Sequence, residues 1–248
     1  MSARQGGARA EPERVFFDYG LTFVPPVPLV RDRGLALLVV DMQYHDAAAG
    51  VGFCAALEAI EPGACAYFDD RNENLVVPTI TRLVDGFRER DLPIVYLCLG
   101  AEQRDLSDMP SRMAAWIRDV EARSGIHDIF WRGNPLYAIR REFAPLPGDV
   151  VVHKTTFGAF NSSNLDDVLR GRDIDTLVIC GISTNCCVET TARDAADRGY
   201  ACVIVDEGCA DYDAAGHDAS LRAFHFNFGR VVRRPDDVLA AIDEGRTV

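Results

Sequence analysis

The chain has 248 residues, 48% hydrophobic and 26% charged, and 26 basic against 38 acidic side chains give a formal net charge of −12. These are globular proportions, which exclude a disordered tail, a collagen-like repeat and a small disulfide scaffold. The acidic balance excludes a nucleic-acid partner, whose phosphates call for a basic footprint. No apolar run approaches the ~20 residues of a membrane span, and the polar start MSARQGGARAEPER lacks a signal-peptide core. The expectation is a soluble, cytoplasmic protein with no membrane partner.

In chain order, residues 1–33 come first, with VFFDYG and the proline-rich PPVPLV. They read as an N-terminal arm that wraps the domain surface or a neighbouring subunit. Residues 34–248 form the domain. It opens with LALLVV, ending at Val40, a continuous apolar run suited to a strand buried on both faces of a parallel sheet. Residues 42–71 follow as an unusually long connection. At the carboxyl end of a strand, where open α/β sheets bind ligands, it reads as a lid-like loop or pocket wall. Val76, Ile80, Leu83, Val84 and Phe87 then mark one face of a helix.

Five further apolar runs read as strands: PIVYLCL ending at Leu99, DVVVH at His153, DTLVIC at Cys180, ACVIVD at Asp206 and RVV at Val232. Helical spacing falls between and after them. Val188, Ala192, Ala195 and Ala196 form one face, Leu221, Phe224 and Phe228 another, and Pro235-Asp236-Asp237 opens the last helix. This alternation predicts a three-layer α/β/α domain on a six-stranded, largely parallel sheet.

Three positions carry chemistry. Asp41 follows the first strand directly. Lys154 follows the third, and lysine seldom ends a buried strand without a partner for its amine. The strongest signal is TLVICGISTNCCVETTARDA, in which a buried strand runs into Gly181, a tight turn, and a helix beginning near Thr184 or Asn185. A cysteine in that first turn faces unpaired N–H groups and the positive end of the helix dipole. Such surroundings lower a thiol's pKa and stabilise an oxyanion. Asp41, Lys154 and this cysteine then share one sheet edge, where the carboxylate can take the thiol proton and the lysine can hold the pair. The bland alternatives are a packing cysteine or a vicinal disulfide between Cys186 and Cys187. Of the other cysteines (Cys54, Cys65, Cys98, Cys180, Cys202 and Cys209), Cys98, Cys180 and Cys202 sit in apolar runs as buried, reduced thiols. No paired C-x-x-C spacing supports a structural zinc.

These motifs resemble the isochorismatase-like cysteine hydrolases, which include nicotinamidases, N-carbamoylsarcosine amidohydrolase, ureide and biuret amidohydrolases and streptothricin hydrolase. The resemblance covers roughly residues 34–232. LLVVDMQ is similar to the family's first strand with its catalytic aspartate, here Asp41. HKTTFGAFNSSNL resembles the segment K-x-x-x-S-A-F-x-x-T-x-L, which carries the catalytic lysine, here Lys154. CGISTNCCVETTARDA resembles G-x-x-T-x-x-C-V-x-x-T, and its C-V pair selects Cys187 as nucleophile.

The resemblance implies a Rossmann-like isochorismatase fold with sheet order 3-2-1-4-5-6, in which Lys154 must reach across a strand. It implies a cis peptide between Ile182 and Ser183, and an oxyanion hole made of the Ser183 and Cys187 N–H groups. Isochorismatases proper cleave a vinyl ether and lack the cysteine, so the cysteine implies amide, ureide or lactam hydrolysis through a thioester. Nicotinamidases carry a metal at D-x-H spacing after the first strand. None of His45, His127, His153, His217 and His225 makes that pattern, so neither metal nor cofactor is expected. The resemblance and the unplaced arm together imply a homodimer or homotetramer.

The partner is then a small-molecule amide. Tyr44, Phe157, Phe160, Asn161 and Tyr212 lie beside the motifs as candidate pocket walls. Glu58, Glu61, Asp69 and Asp70 form either a solvated face or an acidic mouth. An acidic mouth would suit a cationic substrate such as a streptothricin-type lactam. A small neutral ureide, such as biuret or an N-carbamoyl compound, is the alternative. From another class, a non-catalytic ligand-binding α/β module predicts an unreactive Cys187. A nucleotide-binding Rossmann domain would need a G-x-G-x-x-G after the first strand, which this chain lacks.

Overall fold

Six apolar segments assemble side by side in a computed structural model that describes residues 22–32 and 34–248. They are β1 (Leu35–Val40), β2 (Ile94–Leu99), β3 (Val150–Lys154), β4 (Thr176–Ile182), β5 (Ala201–Ala210) and β6 (Arg230–Val232). The order is β3-β2-β1-β4-β5-β6, and all five pairings are parallel. Every residue of β1, β2 and β4 is buried, as their unbroken apolar runs require. The edge strand β3 departs from that pattern, with Val151 and His153 exposed.

Successive side chains of a strand face opposite layers, and the core divides accordingly. Leu38, Val40 and Leu97 pack with Ile117, Ala192 and Phe224 on one side. Leu37, Val39 and Tyr96 pack with Leu83, Phe87 and Leu239 on the other. The helices behind these contacts are α4 (Val77–Arg88), α5 (Ser111–Ser124), α7 (Glu189–Asp197), α8 (Ala214–Asn227) and α9 (Pro235–Glu244); the short α6 (Leu165–Arg170) precedes β4.

The connection 42–71 is not the loop that its sequence suggests. It folds as three helices, α1 (Tyr44–Ala47), α2 (Gly52–Ile60) and α3 (Ala66–Arg71), and a wide turn over Asn72–Val76 joins α3 to α4. The helical period is hidden because each piece is short and broken by glycine. Gly52 has φ +54, and a Cβ there would lie 2.1 Å from the His45 carbonyl oxygen, so only glycine lets α2 begin against α1. Glu58 closes the next turn by accepting from the Gly63 and Cys65 N–H groups, each at 2.8 Å.

The described part of the arm packs on its own domain. Val27 and Val248 exchange two backbone hydrogen bonds of 3.0 Å, and the Leu29 N–H donates to the Arg246 carbonyl at 3.1 Å. Val27 and Leu29 are buried in the core. VFFDYG and the rest of residues 1–21 lie outside the described residues. Among those described, no helix is long and apolar enough to cross a membrane.

Candidate active site

Strand order reverses between β1 and β4, and parallel sheets open a crevice at such a point beyond their carboxyl ends. Asp41 is the first residue past β1. It adopts φ +53, a left-handed conformation that aspartate tolerates better than most residues. Its N–H donates to the Leu97 carbonyl at 3.0 Å, and its carbonyl accepts the Gln43 N–H at 2.8 Å. Lys154 ends β3, and its long side chain spans β2. Its Nζ lies 2.7 Å from Asp41 Oδ2, with both side chains at 0% exposure. The same ammonium donates to the Thr156 and Phe157 carbonyls, each at 3.1 Å.

The third group comes from β4. Gly181 has φ +123, and a Cβ there would stand 2.1 Å from the Val40 carbonyl oxygen, so only glycine lets β4 pass β1 beside Asp41. The Ile182–Ser183 peptide is cis. A wide turn over Thr184–Val188 then leads into α7. The Ser183 carbonyl accepts the Cys186 N–H at 3.1 Å and the Val188 N–H at 3.2 Å. The Cys187 thiol lies close enough to Asp41 and Lys154 to shift the ionisation of both. Asp41, Lys154 and Cys187, separate in sequence, therefore form one buried cluster. All eight cysteines are free, so Cys186 and Cys187 are not bridged.

Burial pushes the Asp41 carboxyl above its usual range, opposed chiefly by the charge of Lys154 and then by the neighbouring Cys187 thiol. Burial alone would lower Lys154, but Asp41 and Cys187 outweigh it and keep the ammonium charged. The Cys187 thiol is held well above its ordinary value, first by its hydrogen bond with Cys186, then by burial and the Asp41 charge. This reverses the expectation of a lowered thiol pKa. Desolvation and a neighbouring carboxylate outweigh the dipole of the turn, so the resting group is a neutral thiol.

A polar network lies behind the turn. Thr184 Oγ1 is 2.8 Å from His217 Nδ1, His217 Nε2 is 2.7 Å from Asp206 Oδ1, and Arg71 Nη2 is 2.8 Å from the same oxygen. Asp211 Oδ2 accepts the Asn185 N–H at 2.8 Å. Thr184 and Asn185 belong to the cysteine motif, but no motif points to Arg71, Asp206, Asp211 or His217.

Cys187 and Ser183 open into a cavity of about 270 Å³, walled mainly by Phe53, Trp116, Phe130, Phe157 and Tyr212. Of the residues proposed as walls, Phe157 and Tyr212 belong here. Asn161 lines an adjoining groove of about 590 Å³ that shares Trp116 and Phe157. Two residues do not belong. The Tyr44 hydroxyl accepts the Arg141 N–H at 3.1 Å, and Phe160 packs on Tyr200 beneath the Arg198 guanidinium.

The acidic mouth also needs correction, because Glu58, Glu61, Asp69 and Asp70 line neither space. Glu58 closes its turn, Asp69 meets the Cys54 thiol, and Asp70 accepts from Asn74 at 2.9 Å. The acid in the cavity is Asp46 instead. Burial, reinforced by the Asp41 charge, raises its pKa to about 7. Among the described residues, no group of three or more His, Cys, Asp or Glu side chains is placed to hold a metal ion.

The fold is shared with known proteins. A family model described as the isochorismatase domain matches residues 35–236, and the chain belongs to the isochorismatase family. A ureidoacrylate amidohydrolase RutB of Variovorax paradoxus is 31% identical over 186 residues, 73% of this chain and 70% of that one. A maleamate amidohydrolase of Pseudomonas putida is 36% identical over 121 residues, 49% of this chain and 55% of that one. Among solved structures, a cysteine hydrolase from Pseudomonas syringae pv. phaseolicola superposes with a TM-score of 0.71 at 29% identity, covering 90% of this chain and 100% of that one.

Proposed function

We propose that the protein is an amidohydrolase that cleaves a small amide or ureide through a thioester on Cys187. One observation carries the reading: a buried carboxyl, an ammonium and a thiol in mutual contact beside a largely apolar cavity. Asp41 takes the thiol proton as sulfur attacks the carbonyl, which suits a carboxylate whose pKa burial has raised. Lys154 holds the carboxylate in place. The N–H groups of Ser183 and Cys187 receive the oxyanion. Collapse breaks the C–N bond, and the amine leaves with the proton that Asp41 took. Asp41 then accepts a proton from water as it attacks the thioester, and the acid leaves while the thiol regains its hydrogen.

The names of the relatives bring ureidoacrylate and maleamate forward as candidate substrates. A cavity of about 270 Å³, at the small end of ligand sites, favours compact amides and ureides such as biuret or N-carbamoyl compounds. The second reading is a larger lactam of the streptothricin type, favoured by the groove of about 590 Å³ that adjoins at Trp116 and Phe157. The test is a panel of linear ureides, cyclic lactams and aromatic amides, read by ammonia or amine release. At least one should turn over with the native chain and none with Cys187→Ala. Normal hydrolysis by Cys187→Ala overturns the mechanism, and no turnover across the panel favours a non-catalytic binding module.

A further inference from the structure

We infer that Asp46 and Tyr212 form a recognition subsite that takes substrates presenting an N–H donor, neutral or cationic, and disfavours amides bearing a carboxylate. The inference rests on the amidohydrolase reading and narrows its substrate class. Asp46 is 8% exposed and lines the same cavity as Cys187. Burial and the charges of Asp41 and Lys154 act on its carboxyl, but no hydrogen bond from the described residues does. The Tyr212 hydroxyl is buried without a partner, and it lies close enough to Asp46 to feel its charge. Two polar groups thus stand unsatisfied in one apolar chamber, an arrangement that a bound ligand relieves.

Charge decides which ligand. The cavity lining contains no lysine, arginine or histidine. Lys154 is already engaged by Asp41 and two carbonyls, and Arg112 lines only the adjoining groove. A substrate carboxylate would meet Asp46 and Asp41 with no free counter-ion. A carbamoyl NH₂, a ureide N–H or an ammonium would instead donate to Asp46, with the Tyr212 hydroxyl as a second partner. Asp46 ionises near 7, so its repulsion of anions is fullest in mild alkali. Ureidoacrylate and maleamate, both carboxylates, fall in the disfavoured class.

The test uses Cys187 itself as reporter, in a Cys186→Ser background that leaves one thiol in the cavity. Alkylation at pH 8 by iodoacetamide, iodoacetate and 2-bromoethylammonium is compared, each rate normalised to that of a free thiol. A like charge a few ångströms away in a partly desolvated site changes such rates by roughly tenfold or more. Asp46→Asn should therefore reduce the iodoacetamide-to-iodoacetate ratio about tenfold and erase any advantage of the cationic reagent, while Asp46→Glu should keep both. A ratio unchanged within about twofold in Asp46→Asn overturns the inference.

A second arm compares kcat/KM for butanamide, 4-aminobutanamide and succinamate. Succinamate should be the poorest of the three and should gain most from Asp46→Asn; preference for succinamate by the native chain also overturns the inference. The two readings fail differently. If no amide is cleaved while the alkylation ratio shifts, the amidohydrolase reading fails and the subsite stands. If amides are cleaved and the ratio does not move, the subsite alone is lost.

Discussion

Asp46→Asn should stabilise the fold in mild alkali and leave it unchanged in acid. The folded chain ionises Asp46 near 7, chiefly because the residue is buried, whereas the unfolded chain ionises it near the ordinary 3.8. A folded pKa above the unfolded one means that the native state holds the proton more tightly. Its contribution to stability is therefore fully present below pH 3.8 and is lost as pH rises through 7. That separation corresponds to roughly 4 kcal/mol by pH 8.5, a large part of the ~5–15 kcal/mol of a typical domain. Asparagine has nearly the same shape and cannot ionise. The difference between variant and native chain should thus grow from near zero at pH 4 to roughly 4 kcal/mol at pH 8.5. Urea unfolding at half-unit pH steps measures it, and taking the difference removes groups that titrate alike in both chains. A difference that stays flat from pH 4 to 8.5 would refute the claim that Asp46 is buried without a counter-charge of its own.

The other predictions concern the cluster and its supports. Lys154→Met removes the partner of a carboxylate at 0% exposure and should cost ~3–5 kcal/mol in urea unfolding. Adding Asp41→Asn to that chain should recover most of the loss, and strictly additive losses would argue against the pair. Gly181→Ala combines φ +123 with a Cβ 2.1 Å from the Val40 carbonyl oxygen and should cost at least ~3 kcal/mol or abolish soluble expression. Native thermal stability in this variant would show that β4 can shift away from β1. The thiol of Cys187 is held well above its ordinary value, and the thiolate is the reactive form. Its alkylation should keep accelerating past pH 9, and a plateau below pH 8 would contradict a neutral resting thiol.

The central strands were legible because burial on both faces demands unbroken apolar runs, and β1, β2 and β4 carry them. Their ends were less so. β5 runs on past Asp206, where its apolar run ends, through Glu207 and Gly208 to Ala210, because a register shift near Gly181 carries the pairing with β4 past them. The helices over 42–71 are not legible in the sequence because their start depends on glycine fitting against a carbonyl contributed by another helix. Asp41, Lys154 and the cysteine turn were visible as polar residues directly after buried strands. The cavity wall was not, since Phe53 belongs to α2, Trp116 to α5 and Phe130 to the segment after it. Only tertiary packing brings them together. The direction of the thiol's pKa is hidden in the sequence for a related reason: spacing reveals a helix dipole but not the depth of burial that opposes it.

The central claim is a covalent acyl group on Cys187, and intact-mass analysis of acid-quenched turnover mixtures measures it directly. The native chain, mixed with an amide that it hydrolyses, should gain the mass of the acyl group on the peptide containing Cys187. Hydroxylamine should remove the adduct, and Cys187→Ala should show neither adduct nor turnover. Steady turnover by Cys187→Ala, or an acyl adduct on another residue of the native chain, would contradict the account.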